Sequence, residues 1–426
     1  MLGIILGLIV LMALAYIGWS ILWVAPIAAG VVAIFGGLDL LDAYKNTYME
    51  GFVGFAKAWF PVFMLGAIFG KLMEITGMAR SVAIALTKVI GTKRAILGVL
   101  VSAAVLTYGG VSLFVVVFAV YPLALTLFKE ANISRKLIPG TVALGAFTFT
   151  MTALPGTPQI QNLIPMEYFH TSATAAPVMG IIATIVMAGG GYFYLRWRER
   201  VMRNQGEVYT EPKEKVDFND IDTPHFILSL LPLLTVLITL NVVGWDIVVA
   251  LLAGIILIMI LNVMKYKQFV EAINKGALGS VTAIINTSAA VGFGTVVKVV
   301  PGFEKLTELL LGIKGNPLIS EAIAVNILAG ATGSASGGMG IALEALGSKY
   351  YEIALESGIA PEAFHRIASL ASGGLDTLPH NGAVLTLLTI TGMSHRDSYK
   401  DIFVVSLALP LLSVVVAIIF ASIGIY

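Results

Sequence analysis

The 426-residue chain has no cysteine, and only 12% of its residues are charged. The first absence removes disulfide frameworks, thiolate metal sites and dithiol redox chemistry. The second removes an ordinary soluble domain, in which about a quarter of residues carry charge. The formal net charge is +1, so nothing here is built to meet nucleic acid. No phosphate-cradling loop, zinc-ligand spacing or nucleophile elbow occurs, which argues against an ATP-driven pump and an intramembrane enzyme. No metal or cofactor is expected. No basic segment precedes the first apolar run, so residues 1–18 read as a retained span rather than a cleaved signal.

What is present is apolar. Hydrophobic residues make up 58% of the chain, with long runs at 4–16, 21–35 and 406–425. Runs near 20 residues are the length of a membrane-crossing helix, and the alternation of a β-barrel is not the rule. The expected class is an all-α polytopic membrane protein, multi-pass in the inner (plasma) membrane. One polar linker, 196–225, divides it. The linker starts with Arg196, Arg198, Arg200 and Arg203 directly after an apolar run, which marks the cytoplasmic side.

The two halves repeat each other. Leu154-Pro155 recurs as Leu378-Pro379, 224 residues on (378 − 154), and Gly109-Gly110-Val111-Ser112 recurs as Gly333-Ser334-Ala335-Ser336 at the same spacing. Several matches in one order argue for duplication. Each half reads as two spans, an amphipathic stretch (41–58; 266–278), a third span (59–76; 280–300), and two short apolar segments meeting at a Gly/Ser tip. A Pro-interrupted span and a closing span follow. The segments at each tip are too short to cross a core of about 30 Å, so each pair reads as a re-entrant hairpin. Five crossings per half give about 10 spans plus 2 hairpins, invert the second half and place both termini outside. If the hairpins span, the count rises toward fourteen. The Lys and Arg distribution favours this orientation moderately: the loop at 166–174 has none, while Lys45, Lys57, Lys305, Lys314, Lys349 and Arg366 fall outside.

Interrupted backbone survives at membrane depth only inside protein or beside a water-filled cavity. Two tips and two Pro breaks, at matching places of inverted halves, therefore point to one central site. Helix ends there offer unpaired N–H groups to a small organic anion, and Ser, Thr and Asn serve hydroxyls. The candidate binding residues are Gly109, Gly110 and Ser112 in the first tip, and Gly156, Thr157 and Gln159 in the first break. Gly333, Ser334, Ser336 and Gly337 belong to the second tip, and His380 and Asn381 to the second break. Asp376 and His380, ionisable within an apolar region, are the candidates for proton coupling. Lys71 and Glu74, three residues apart, can neutralise each other, Lys71 and Lys298 lie near span ends and read as snorkelling, and Glu344 is secondary. His170, His365 and His395 read as loop residues.

Through "GGVSLFVV", "ALPGTPQIQN", "GSASGG" and "GGLDTLPHNGAV" the chain resembles the gluconate:H⁺ symporter (GntP) family of the ion transporter superfamily, over nearly its whole length. The resemblance implies proton-coupled symport of a hydroxylated monocarboxylate by an elevator motion, in a homodimer. Gluconate and other sugar acids, D-serine and 3-hydroxybutyrate are family substrates. The apolar neighbours of the tips lean toward a hydroxybutyrate-like acid. The implied scaffold is 1–58 and 226–279, and the implied transport elements are 59–195 and 280–426. Na⁺-coupled carboxylate symport and a passive anion channel stand as alternatives, since unwound carbonyls ligate Na⁺ and channels also use re-entrant loops.

Overall fold

The computed structural model describes residues 1–212, 223–313, 316–379 and 381–426, and every regular element among them is helical. The elements of the first half are Leu2–Tyr16, Ile21–Gly36, a long helix Leu40–Ile75, Met78–Ile90, a hairpin (Ala95–Tyr108, Leu113–Glu130), a broken helix (Ile138–Ala146, Ile160–Phe169) and Pro177–Asn204. The second half runs Phe226–Asn241, Ile247–Leu261, a long helix Val263–Val299, Gly302–Leu311, a hairpin (Pro317–Thr332, Ala335–Ser357), a broken helix (Pro361–Ser372, Gly382–Thr391) and His395–Ser422. Local signals account for many ends. Asp246 and Asn316 accept the N–H two residues on, at 2.8 and 3.0 Å, and Pro occupies the first position of the helices at 177, 317 and 361.

Among the described residues, four helices are long and apolar enough to cross a membrane: Leu40–Ile75, Pro177–Asn204, Val263–Val299 and His395–Ser422. Met78–Ile90 and Thr92–Tyr108 form a further pair bent by 101°. The opening helices of each half are shorter than the expected spans. Leu2–Tyr16, at 15 residues, covers roughly 22 Å.

The largest departure from the sequence reading is at the long helices. The stretch 41–58 and the span 59–76 form one continuous element, as do 266–278 and 280–300. A scaffold boundary at 58 or 279 would therefore cut a helix. Glycines within the two long helices are contact points between them. Gly51 lies against Thr295 and Gly276 against the Ile68 backbone, so the two helices pack antiparallel along most of their length. The opening helices close around this pair: Gly7 abuts Val32, close to Phe293, and Gly254 abuts Phe69. Met78–Ile90 and Gly302–Leu311, expected as loops, are amphipathic helices. Met78, Ala79, Val82 and Ala83 supply a buried face at helical spacing. The closing helix of the first half carries the Arg cluster within it as far as Asn204.

Within the second hairpin, a Cβ on Gly338 would fall on the backbone of Leu328 and Ala329, whereas one on Gly279 would meet open space. Gly338→Val should cost about 3 kcal/mol of stability, the upper end of overpacking. Gly279→Ala should be neutral or stabilising by up to about 1 kcal/mol. Thermal unfolding of the two variants in detergent checks both.

Candidate functional site

Each broken helix restarts next to a hairpin tip, and one side chain locks the two together. In the first half Gln159, at the N-cap of Ile160–Phe169, donates from Nε2 to the Thr107 carbonyl at 2.6 Å. In the second half Asn381, at the N-cap of Gly382–Thr391, donates from Nδ2 to the Gly333 carbonyl at 2.8 Å. Asn381 Oδ1 also accepts from the Val384 N–H at 2.9 Å. The tips turn on glycine with positive φ, +95° at Gly110 and +60° at Gly333, where a Cβ would strain the backbone.

The four interruptions meet at one cavity of about 500 Å³. Four helix N-termini face it, those beginning at Leu113, Ile160, Ala335 and Gly382. Ser334 Oγ caps the third by accepting from the Gly337 N–H at 3.1 Å, and Asn381 caps the fourth. No side chain caps the first two, so their leading N–H groups keep their donors for something else. Its lining includes apolar Phe63, Leu113, Phe147 and Met151 and polar Thr287, Ser336 and Asn381. No Lys or Arg lines it among the described residues, and Asp376 is the ionisable side chain that does. Asp376 is buried, with Oδ1 lacking a hydrogen-bond partner among the described residues.

Of the residues expected from sequence, the structure brings Ser112, Gln159, Gly333, Ser334, Ser336, Gly337, Asp376 and Asn381 to this cavity. Others lie off it. Gly109 packs on Leu233, and Gly110 lines an adjoining pocket. Gly156 turns at φ +80° against Asn241, whose Nδ2 donates to the Gly156 carbonyl at 2.9 Å. Thr157 is fully buried, and its carbonyl accepts from Asn162 at 3.0 Å. These three residues, Gly109, Gly156 and Thr157, hold the turns rather than face the cavity. His380 lies outside the described residues. Asn286 and Thr287, on the long helix of the second half, were missed. Thr287 Oγ1 lies 3.3 Å from Ser336 Oγ, yet both residues read as ordinary span interior.

Behind the first break lies a polar core that contradicts the loop reading of His365 and Arg366. Both are fully buried in Pro361–Ser372. Arg366 donates to the Ala175 carbonyl from Nε and Nη2 at 3.1 and 2.7 Å, and from Nη1 to Asn162 Oδ1 at 2.9 Å and the Thr152 carbonyl at 3.4 Å. His365 bonds Thr171 Oγ1 at 2.6 Å. One guanidinium of the second half thus ties the Ala175 loop to Thr152 and Asn162 on either side of the first break.

The sequence profile described as GntP family permease matches residues 1–244, more than half of the chain. YxjC of Bacillus subtilis strain 168, named an uncharacterized transporter, is 42% identical over 99% of this chain and 98% of its own length. This chain belongs to the GntP permease family. An uncharacterized permease of Haemophilus influenzae is 28% identical over 49% of this chain and 43% of its own. The YdaH transporter of Alcanivorax borkumensis shares the fold, with a TM-score of 0.61 at 17% identity over 91% of this chain and 90% of that one. As a GntP permease, the protein is a membrane transporter, which bears out the family resemblance read from its motifs.

The two locks are testable apart from the caps. Asn381→Ser keeps an N-cap oxygen but cannot reach the Gly333 carbonyl, and Asn381→Ala loses both. Asn381→Ala should lower stability by about 1 kcal/mol, whereas Asn381→Ser should not. Both should cut uptake into proteoliposomes about tenfold, the effect of about 1.4 kcal/mol of lost positioning.

Proposed function

We propose that this permease carries a small hydroxylated monocarboxylate, gluconate-like or 3-hydroxybutyrate-like, together with a proton across the inner membrane. The supporting observation is the meeting of four helix N-termini on one cavity that no Lys or Arg lines among the described residues. A single carboxylate is held by partial charges and N–H groups at such ends. A di- or tricarboxylate would need fixed cations. On this reading the carboxylate takes the uncapped ends at Leu113 and Ile160, and the substrate hydroxyl meets Thr287, Ser336 and Asn381. Asp376 carries the proton. His380 remains a second candidate for that role and for substrate contact.

The mechanism we propose is an elevator, in a homodimer of two inverted repeats. The antiparallel packing of the two long helices is what inverted halves require. A continuous helix cannot belong half to a fixed body and half to a moving one. We therefore assign the long helices whole to the scaffold, with the two opening helices of each half. The hairpins and broken helices move.

Na⁺ coupling stands as a second reading, because the open Oδ1 of Asp376 beside unwound carbonyls serves a cation as well as a proton. Purified protein in liposomes should accumulate a 3-hydroxy acid or gluconate under an inward proton gradient alone. Accumulation under a Na⁺ gradient alone would transfer the coupling to sodium. Asp376→Asn should abolish proton-driven accumulation while retaining counterflow exchange of labelled substrate, and Ser336→Ala should weaken substrate uptake.

A further inference from the structure

The two antiparallel long helices bring charged side chains together at each end, and two further pockets lie there. One, of about 400 Å³, is lined by Lys71, Glu74 and Lys275. The other, of about 470 Å³, is lined by Glu50, Glu167, Glu344 and Lys298. The first has two lysines against one glutamate, and the second has three glutamates against one lysine. They relate differently to the central cavity. The lysine-rich pocket shares Phe63, Ser112, Gln159, Ile160 and Ala283 with it, so the two adjoin. The acidic pocket shares no lining residue with it among those described. There Glu344 of the second hairpin is held by Tyr168 Oη at 3.3 Å and faces Lys298 Nζ of the long helix at 3.7 Å.

We infer that the Lys71–Lys275 vestibule is a transit site, the port through which an organic monoanion passes to and from the cavity in this conformation. The acidic vestibule, held by the Lys298–Glu344–Tyr168 contacts, is the closed port. Both lysines are engaged but exchangeable. Lys71 pairs with Glu74 and Lys275 with Glu271, each at 2.6 Å within one helix turn. The four charges also lie within range of one another across the helix pair. Such partly exposed pairs are worth about 1 kcal/mol or less, so a passing carboxylate can take a lysine from its glutamate and return it. Two lysines on different helices, both on the stable scaffold, form a charge step ahead of a cavity that offers only helix ends. The same electrostatics repels anions from the acidic port.

The inference rests on the proposed monoanion as substrate, but its deciding test does not. The native chain has no cysteine, so single thiols can be introduced without further engineering. Ala283→Cys sits where vestibule and cavity join, and Gly54→Cys lines the acidic pocket with open space around its Cβ. An anionic thiosulfonate reagent should modify the first about fivefold faster than a cationic reagent of equal size, and the second should show the opposite preference. Adding K71Q and K275Q to Ala283→Cys should reverse the preference toward the cationic reagent, since Glu74 and Glu271 remain, and K71R with K275R should restore it. Equal rates at Ala283→Cys, or a ratio indifferent to the lysines, overturns the inference. In uptake assays K71Q/K275Q should raise the apparent KM about fivefold with the maximal rate kept, and an unchanged KM removes the transit role. If the unsubstituted protein takes up no monocarboxylate, the substrate reading falls while the labelling ratio still decides whether the vestibule draws anions.

Discussion

Helical backbone cannot be left open in a low-dielectric slab, and this protein opens it four times. Every other feature of the site follows from how those openings are closed. They are locked in two tip-to-break pairs by neutral amides, Gln159 to the Thr107 carbonyl and Asn381 to the Gly333 carbonyl. At the first break, the Thr157 carbonyl is met by Asn162 and the Thr152 carbonyl by Arg366 and Ser369. What no side chain caps among the described residues are the helix ends at Leu113 and Ile160, and both line the cavity.

Arg366 bears on this in a way its charge alone would not indicate. A buried cation is costly unless its five donors are engaged. Here they reach backbone carbonyls and one amide oxygen, with no carboxylate among the described partners. The arrangement braces the first break with a side chain from the second broken helix. The two halves are therefore tied together through their interruptions.

The sequence shows the interruptions plainly, because Gly, Pro, Asp and Asn are out of place in oil and recur at one spacing. Eight of the expected residues do reach the cavity. It does not show which way each points. Gly109, Gly156 and Thr157 have the same composition as their neighbours but face Leu233, Asn241 and Asn162. Asn286 and Thr287 are invisible for the converse reason: an uninterrupted helix presents them to the site, so no local break announces them. Continuity of the long helices is hidden too. Gly51 and Gly276 lower local helix propensity, and only the antiparallel partner, pressed against each, explains why they are there. Arg366 and His365 read as loop residues because their partners, Thr152, Asn162 and Thr171, lie in the other half of the chain.

The placement of charge follows from what a carrier must do. A lysine in the cavity would hold a carboxylate tightly, and a pair formed in low dielectric resists release. A carrier bound that firmly would not let go on the far side. Helix ends supply partial charges on a rigid frame, enough to offset desolvation of one carboxylate without a full counter-ion. Full charges stand instead at the ends of the long helices, where water screens them, and behind the first break, where carbonyls surround Arg366. With so few charges in the chain, the cations nearest the cavity lie beside it rather than in it. The scarcity of charge that first marked the sequence is thus also a property of the site.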